Sequence, residues 1–179
     1  MALFVQQTIY SNIKSFIMKS IITTAIIFCS FTLSVTAQKA TEPFTQLLSS
    51  YYDIKDALVK TDAVTAAIKA GEFVTSINTV DMKTLSKADH TAFIAVNEKL
   101  VVYAGHIAES KDIKKQRDYF QPFSDNFSVL AKAVKLSEQP VYQQYCPMKK
   151  AYWLSSEAAV KNPYFGNAML TCGKVTATF

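Results

Sequence analysis

The chain has 179 residues, of which 50% are hydrophobic and 18% charged, and its formal net charge is +5. This length suits one domain with one core. The positive charge is mild, and the lysines are scattered rather than gathered into a basic stripe, which argues against nucleic-acid binding. Three cysteines are too few for a small domain built on disulfides.

The first 37 residues have the pattern of a secretory signal peptide. Lys14 and Lys19 precede an apolar run over residues 21–28, and residues 34–37 end the segment with Ser-Val-Thr-Ala. Small residues at that point suit cleavage by a signal peptidase. The apolar run is shorter than the roughly 20 residues that a membrane-spanning helix needs. We therefore predict export followed by cleavage.

Two details bear on the start of the chain. Met18 would be a more ordinary initiator, which would make residues 1–17 an over-extended start. A lipoprotein signal has a small residue directly before its cysteine, whereas this chain has Phe28 before Cys29, which argues against a lipid anchor. We expect a single domain over residues 38–179 that is periplasmic or secreted, soluble after cleavage and without stable membrane insertion.

Four amphipathic helices are predicted before residue 138, because apolar residues recur there at helical spacing. Their expected ranges are about 42–60, 63–78, 89–109 and 112–135. Pro43 suits the first turn of the first helix, and Asp62 is a candidate N-cap for the second. Pro122 is expected to kink the fourth helix or to begin a new one. Short links between the helices predict an antiparallel up-down bundle.

From Pro140 onward the pattern changes. Residues 141–145 and 174–179 alternate as short strands do, which predicts a small β-hairpin. Residues 153–166 are expected to be irregular, because prolines and glycines punctuate them.

A short helix over residues 166–171 would place Met169 and Cys172 on one face. The predicted fold is mainly α. It is an antiparallel four-helix bundle in the 38–179 domain, followed by an irregular C-terminal tail, about 140–179, that contains the short β-hairpin.

Sulfur is scarce beyond residue 37, yet most of it is concentrated in the tail. The tail holds Cys146-Pro-Met148 and Met169-Leu-Thr-Cys172. Thiolates and thioethers are soft ligands that favour Cu(I) over hard cations. The four predicted metal ligands are Cys146, Met148, Met169 and Cys172.

Other interpretations of these residues stay open. His106 is a further candidate ligand, although a solvated or structural role is the more ordinary expectation for it. Zinc is a weaker alternative to copper, because zinc sites rarely use methionine. Cys146 and Cys172 could instead form a disulfide in an oxidising compartment.

Catalysis finds little support in the sequence. There is no nucleophile elbow, phosphate loop or metalloprotease motif, so we predict that the protein is not an enzyme. The aromatic residues of the tail are expected to pack a core, with an exposed subset available for protein contacts. Arg117 and Asp112 are expected to hold the tail by hydrogen bonds, because an arginine can bind several backbone carbonyls.

Several strings together resemble a known family. They are Tyr51-Tyr52-x-x-Lys55-Asp56, Ser110-x-Asp112-Ile113-x-x-Gln116-Arg117, Tyr145-Cys146-Pro147-Met148, Asn162-Pro163-Tyr164-Phe165-Gly166 and Met169-Leu170-x-Cys172-Gly173. This set resembles exported bacterial domains of unknown function that occur alone or fused to copper/silver-efflux adaptor proteins of the membrane-fusion type.

The resemblance implies heavy-metal handling, with copper(I) as the ion and an efflux adaptor or another periplasmic protein as the partner. The expected function is that of a carrier or sensor linked to efflux. The alternative is a structural or protein-interaction domain with a Cys146–Cys172 disulfide. The Tyr-Cys-Pro-Met string is also similar to short heavy-metal-binding modules, but Lys149 stands where those modules have a histidine.

Overall fold

The structure is a computed structural model that describes residues 44–179. The predicted signal peptide, the alternative start and the first predicted helical residues lie outside that part of the chain. Four helices are present in residues 44–179, as predicted. They are α1 (Thr45–Val59), α2 (Ala63–Asn78), α3 (Lys87–Glu109) and α4 (Ile113–Ala133), with a short 3-10 turn at Met82–Thr84.

Polar side chains begin three of the helices. Asp62 accepts a hydrogen bond from the Thr65 backbone N–H at 3.0 Å, as expected of an N-cap. The hydroxyl of Ser86 does the same at the start of α3, and the carboxylate of Asp112 does so at the start of α4. Because each cap satisfies backbone donors that the helix leaves unpaired, these polar links end one helix and begin the next.

Each helix packs mainly against its neighbours in sequence, which gives the predicted antiparallel bundle. Aromatic rings fill its centre. Tyr51 stacks on Phe127 with ring centroids 4.7 Å apart, and Phe73 meets Phe123 edge to face at 4.9 Å. Helix α4 continues through Pro122, so the proline does not begin a new helix.

A three-stranded antiparallel sheet follows the bundle. Its strands are β1 (Tyr142–Cys146), β2 (Ala151–Ser155) and β3 (Lys174–Thr178), in the spatial order β2-β1-β3. Strand β2 extends into the segment 153–166 that was predicted to be irregular, so that prediction was wrong for residues 153–155 and is confirmed for the turns that follow. Both Trp153 and Leu154 are fully buried, so this strand lacks the alternation that would identify it.

The predicted helix over residues 166–171 is only a 3-10 turn, Gly166–Ala168. Met169 leaves this turn with an extended φ of −147°, so it does not share a helix face with Cys172. The bundle, the pairing of the two predicted strands as β1 and β3, and the irregular backbone between β2 and β3 nevertheless confirm the predicted fold class. No helix in the described range is both long and apolar enough to cross a membrane.

Hydroxyl groups from the bundle and the tail bind the outer edge of β2. The Leu154 N–H donates to the Tyr51 hydroxyl at 3.0 Å, and the Tyr152 carbonyl accepts from the Ser124 hydroxyl, also at 3.0 Å. Tyr164 donates its hydroxyl to the same carbonyl. Since the one proton of Ser124 goes to the carbonyl, Tyr51 must be the donor in its 2.6 Å bond to Ser124. This hydroxyl cluster joins sheet and bundle.

Arg117 holds the tail against the bundle, as the sequence predicts. Its Nε donates to the Pro163 carbonyl at 2.9 Å, while Nη2 donates to the Leu58 carbonyl at 2.9 Å and to the Thr61 hydroxyl at 3.0 Å. Burial lowers the pKa of Arg117 from its ordinary value. Asp112 caps α4 and does not reach the tail.

Candidate metal site

The fold brings the two cysteines of the tail into contact. Cys146 ends β1, and Cys172 lies just before β3, so the antiparallel pairing of these strands places both at one end of the sheet. Their Sγ atoms are 3.6 Å apart, and neither belongs to a disulfide. Cys146 has no exposed surface, whereas Cys172 is partly exposed. We call these two residues the cysteine pair.

Backbone N–H groups of the β1–β2 turn contact both sulfurs. The Lys149 N–H donates to Cys146 Sγ at 3.4 Å, and the Met148 backbone interacts with the Cys172 thiol. Donors placed in this way stabilise a thiolate. For Cys172, however, burial and the neighbouring Cys146 outweigh the Met148 contact and raise the pKa of the thiol. A metal ion would therefore have to displace a proton from Cys172.

Asn162 fixes the backbone at Cys172. It is fully buried, and its Nδ2 donates to the Cys172 carbonyl at 2.7 Å. Its Oδ1 accepts the Tyr164 N–H at 2.8 Å, so the side chain bridges two parts of the tail. The sequence marks Asn162-Pro163 only as a turn. An Asx turn before a proline is the signal that could have suggested this role.

The two predicted thioether ligands flank the cysteine pair. Met148 lies in the turn after β1 and is 66% exposed. Met169 is partly buried, and its carbonyl accepts the Cys172 N–H at 3.0 Å. Because β1 ends and β3 begins at the same end of the sheet, both methionines lie at that end, with the cysteines.

His106 lies on the surface of α3 and does not join the cysteine pair. Its ring lies 4.9 Å from the ring of Tyr119 on α4. Over residues 44–179, no three histidine, cysteine, aspartate or glutamate side chains converge as a group that could hold a metal ion. A third ligand from this part of the chain would thus have to be a thioether or a backbone group.

Lys149 has a structural partner. Its Nζ lies 2.7 Å from Asp118 Oδ1, so the ion pair ties the β1–β2 turn to α4. Asp118 is 56% exposed, so water screens the pair, and such pairs contribute little to stability.

The separation of the sulfurs limits the coordination geometry. With metal–sulfur distances of about 2.3 Å, sulfurs 3.6 Å apart subtend an angle of roughly 100° at the ion. A linear two-coordinate site would need the sulfurs about 4.6 Å apart at the same bond length. As placed, the cysteine pair suits a bent site with at least one additional ligand. An all-sulfur donor set fits Cu(I), and it fits hard cations poorly.

Comparison with known proteins identifies the helical part of the chain. The model of a family described as "Protein of unknown function (DUF3347)" matches residues 47–139, which is more than half of the chain. These residues cover nearly all of the bundle and end before β1, so the cysteine pair lies outside the match. No curated protein and no solved structure matches the chain. The chain belongs to the DUF3347 family of proteins of unknown function.

Proposed function

We propose that this protein binds a soft metal ion, copper(I) in the first place, through the thiolates of Cys146 and Cys172. The observation that carries the proposal is the 3.6 Å separation of the two Sγ atoms, with backbone N–H groups contacting both. The ion is cargo rather than a catalytic cofactor. The protein then acts as a carrier or sensor that serves heavy-metal efflux, and it is not an enzyme.

The thioethers of Met148 and Met169 complete the proposed ligand set. The bent arrangement of the two sulfurs leaves coordination positions open, and no histidine or carboxylate from residues 44–179 joins the pair. The two methionines are soft donors at the same end of the sheet. Because Met148 is 66% exposed, it can contribute a ligand without breaking core contacts.

Titration of reduced protein with Cu(I) in the absence of oxygen, with competition by a chromophoric chelator, tests the proposal. We expect one tightly bound ion per chain. Replacing both cysteines, Cys146→Ser with Cys172→Ser, should abolish that binding. If the double variant competes with the chelator as well as the unmodified protein does, the assignment of the cysteine pair is wrong.

The methionines need a separate comparison. Met148→Leu and Met169→Leu should each weaken Cu(I) binding, because leucine preserves bulk while removing the sulfur. Met82→Leu is the matched control, since Met82 lies in the 3-10 turn between α2 and α3, far along the chain from the cysteine pair. Equal affinities for all three variants would remove the thioethers from the ligand set.

The proposed location is the periplasm, or outside the cell. It rests on the signal-peptide pattern of residues 1–37 and on the family resemblance. Fractionation of cells, followed by N-terminal sequencing, should find the protein outside the cytoplasm with Gln38 as its first residue. Recovery of uncleaved protein in the cytoplasm alone would contradict both export and a role beside an efflux adaptor.

The contact between the sulfurs also favours a second candidate function. A Cys146–Cys172 disulfide would make the tail part of a structural or protein-interaction domain that binds no metal. Intact mass of protein purified without reductant separates the two candidates. A mass lower by two hydrogens, together with no thiol available for alkylation, would favour the disulfide.

A further inference from the structure

The two members of the cysteine pair differ in their access to solvent. Cys146 belongs to the hydrophobic core and has no exposed surface, whereas Cys172 is partly exposed. The Cys146 sulfur also accepts the Lys149 N–H, so the β1–β2 turn covers it. A reagent that arrives from solvent therefore meets Cys172 first.

Hydrogen bonds hold the backbone in place at both cysteines, which keeps their sulfurs in contact. At Cys172, the N–H donates to the Met169 carbonyl and the carbonyl accepts from Asn162. Cys146 pairs with Ala151 across the β1–β2 ladder. A group attached to the Cys172 sulfur would thus remain next to Cys146.

We propose that Cys172 undergoes thiol–disulfide exchange with small-molecule disulfides and that Cys146 resolves the mixed disulfide. In the first step, Cys172 loses its thiol proton, and the resulting thiolate attacks one sulfur of a disulfide RSSR. A bond from Cys172 Sγ to that sulfur forms, the S–S bond of the reagent breaks, and RS⁻ leaves and takes up a proton.

In the second step, Cys146 attacks Cys172 Sγ from its contact position. Cys146 loses its proton, the bond between Cys146 and Cys172 forms, the bond from Cys172 Sγ to the sulfur of the reagent breaks, and the second RS⁻ is released and protonated. The two protein thiols are together oxidised by two electrons, and RSSR is reduced to two molecules of RSH. This inference concerns the metal-free protein and does not rest on metal binding. If the protein both binds Cu(I) and undergoes this exchange, only its reduced form has thiolates that can bind Cu(I).

Oxidised glutathione is a suitable probe for metal-free, reduced protein. All variants carry Cys29→Ser, so that the cysteine pair supplies the only thiols. The otherwise unmodified protein should lose two hydrogens in mass and retain no glutathione. Cys146→Ala should accumulate one glutathione on Cys172. Cys172→Ser should react on the order of 100-fold more slowly, because Cys146 becomes accessible only through local opening.

A second measurement covers the case in which a variant fails to fold. Acid quenching of the two-cysteine protein at early times, followed by peptide mapping, should find transient glutathione on Cys172 and none on Cys146. Glutathione found first on Cys146 would overturn the order of the two steps. A stable adduct on the two-cysteine protein would overturn the resolving role of Cys146. Failure of Cys172 to react in the folded Cys146→Ala variant would overturn the site itself.

Discussion

The guanidinium of Arg117 donates its Nη2–H to the carbonyl oxygen of Leu58 at 2.9 Å, which joins α4 to the last turn of α1. The same side chain reaches Pro163 through Nε. A lysine has neither the length nor the fork needed to keep both contacts. Arg117→Lys should therefore lower the free energy of unfolding by about 2 kcal/mol, measured by urea denaturation.

Lys115→Met is the matched control for Arg117→Lys. Lys115 is exposed on the same helix, and a surface change of this kind should stay within about 0.5 kcal/mol of the unmodified protein. Equal stability of the two variants would show that the Arg117 contacts contribute nothing to the fold.

Gly166 should tolerate no side chain. Its φ is +54°, and a Cβ there would lie 2.5 Å from Arg117 Nη2 and 2.9 Å from the Val59 carbonyl oxygen. We expect Gly166→Ala to destabilise the protein by about 2–4 kcal/mol in thermal or urea unfolding. Gly105→Ala is the control, because a Cβ at that helical position has nothing within 4 Å. Gly105→Ala should stabilise the protein by about 0.5–1 kcal/mol. If Gly105→Ala instead lowers the free energy of unfolding as much as Gly166→Ala does, the steric argument is refuted.

The Tyr51 hydroxyl should be important for stability out of proportion to its size. Tyr51→Phe removes the acceptor for the buried Leu154 N–H and the donor to Ser124. Leaving such groups unpaired should cost about 1–3 kcal/mol in the free energy of unfolding. Tyr103 is the control, because its hydroxyl makes no hydrogen bond to another described residue. Tyr103→Phe should therefore change the free energy of unfolding little. Similar losses for both variants would rule out a special role for the hydroxyl cluster.

Buried tyrosines should make the fold sensitive to alkali. Burial raises the pKa of Tyr51, Tyr52 and Tyr164 well above the ordinary value. Their stabilising contribution is complete below the unfolded pKa of about 10 and is lost as pH rises above it, because only the unfolded chain then releases these protons. Near-ultraviolet absorbance should show fewer than the nine tyrosines ionising near that pH before the chain unfolds. Ionisation of all nine in folded protein would contradict the prediction.

Cu(I) binding should depend on pH through the Cys172 thiol. Because the pKa of this thiol is raised, the proton must leave when the ion binds. The apparent affinity for Cu(I) should therefore rise as pH increases through the neutral range, measured by chelator competition at constant ionic strength. In Cys172→Ser the dependence should become weaker. An unchanged pH dependence in that variant would assign the released proton to another group.

The helices could be predicted from local information, whereas the second strand could not. Apolar residues at helical spacing and a cap such as Asp62 mark a helix within a few residues of sequence. Strand β2 carries Trp153 and Leu154, which are both buried, so it shows no alternation. Its identity depends on pairing with β1 and on packing against α4, neither of which is visible in five residues.

The candidate site shows the same limit. Spacing brings Met148 near Cys146 because they share one turn, but the meeting of Cys146 with Cys172 depends on the register of β1 and β3. The role of Asn162 depends on a contact ten residues away in the chain. His106 has the right chemistry for a ligand, yet α3 directs it toward Tyr119.

The hydroxyl cluster on β2 has a consequence for association between molecules. Unpaired strand edges are templates on which another chain can add a strand. Tyr51 and Ser124 occupy groups on one such edge, so the sheet can be extended only beside β3, where the charge of Lys174 opposes addition. Loss of the Tyr51 hydroxyl would leave the Leu154 N–H of this edge unpaired, and an unpaired edge group is what an added strand would bind.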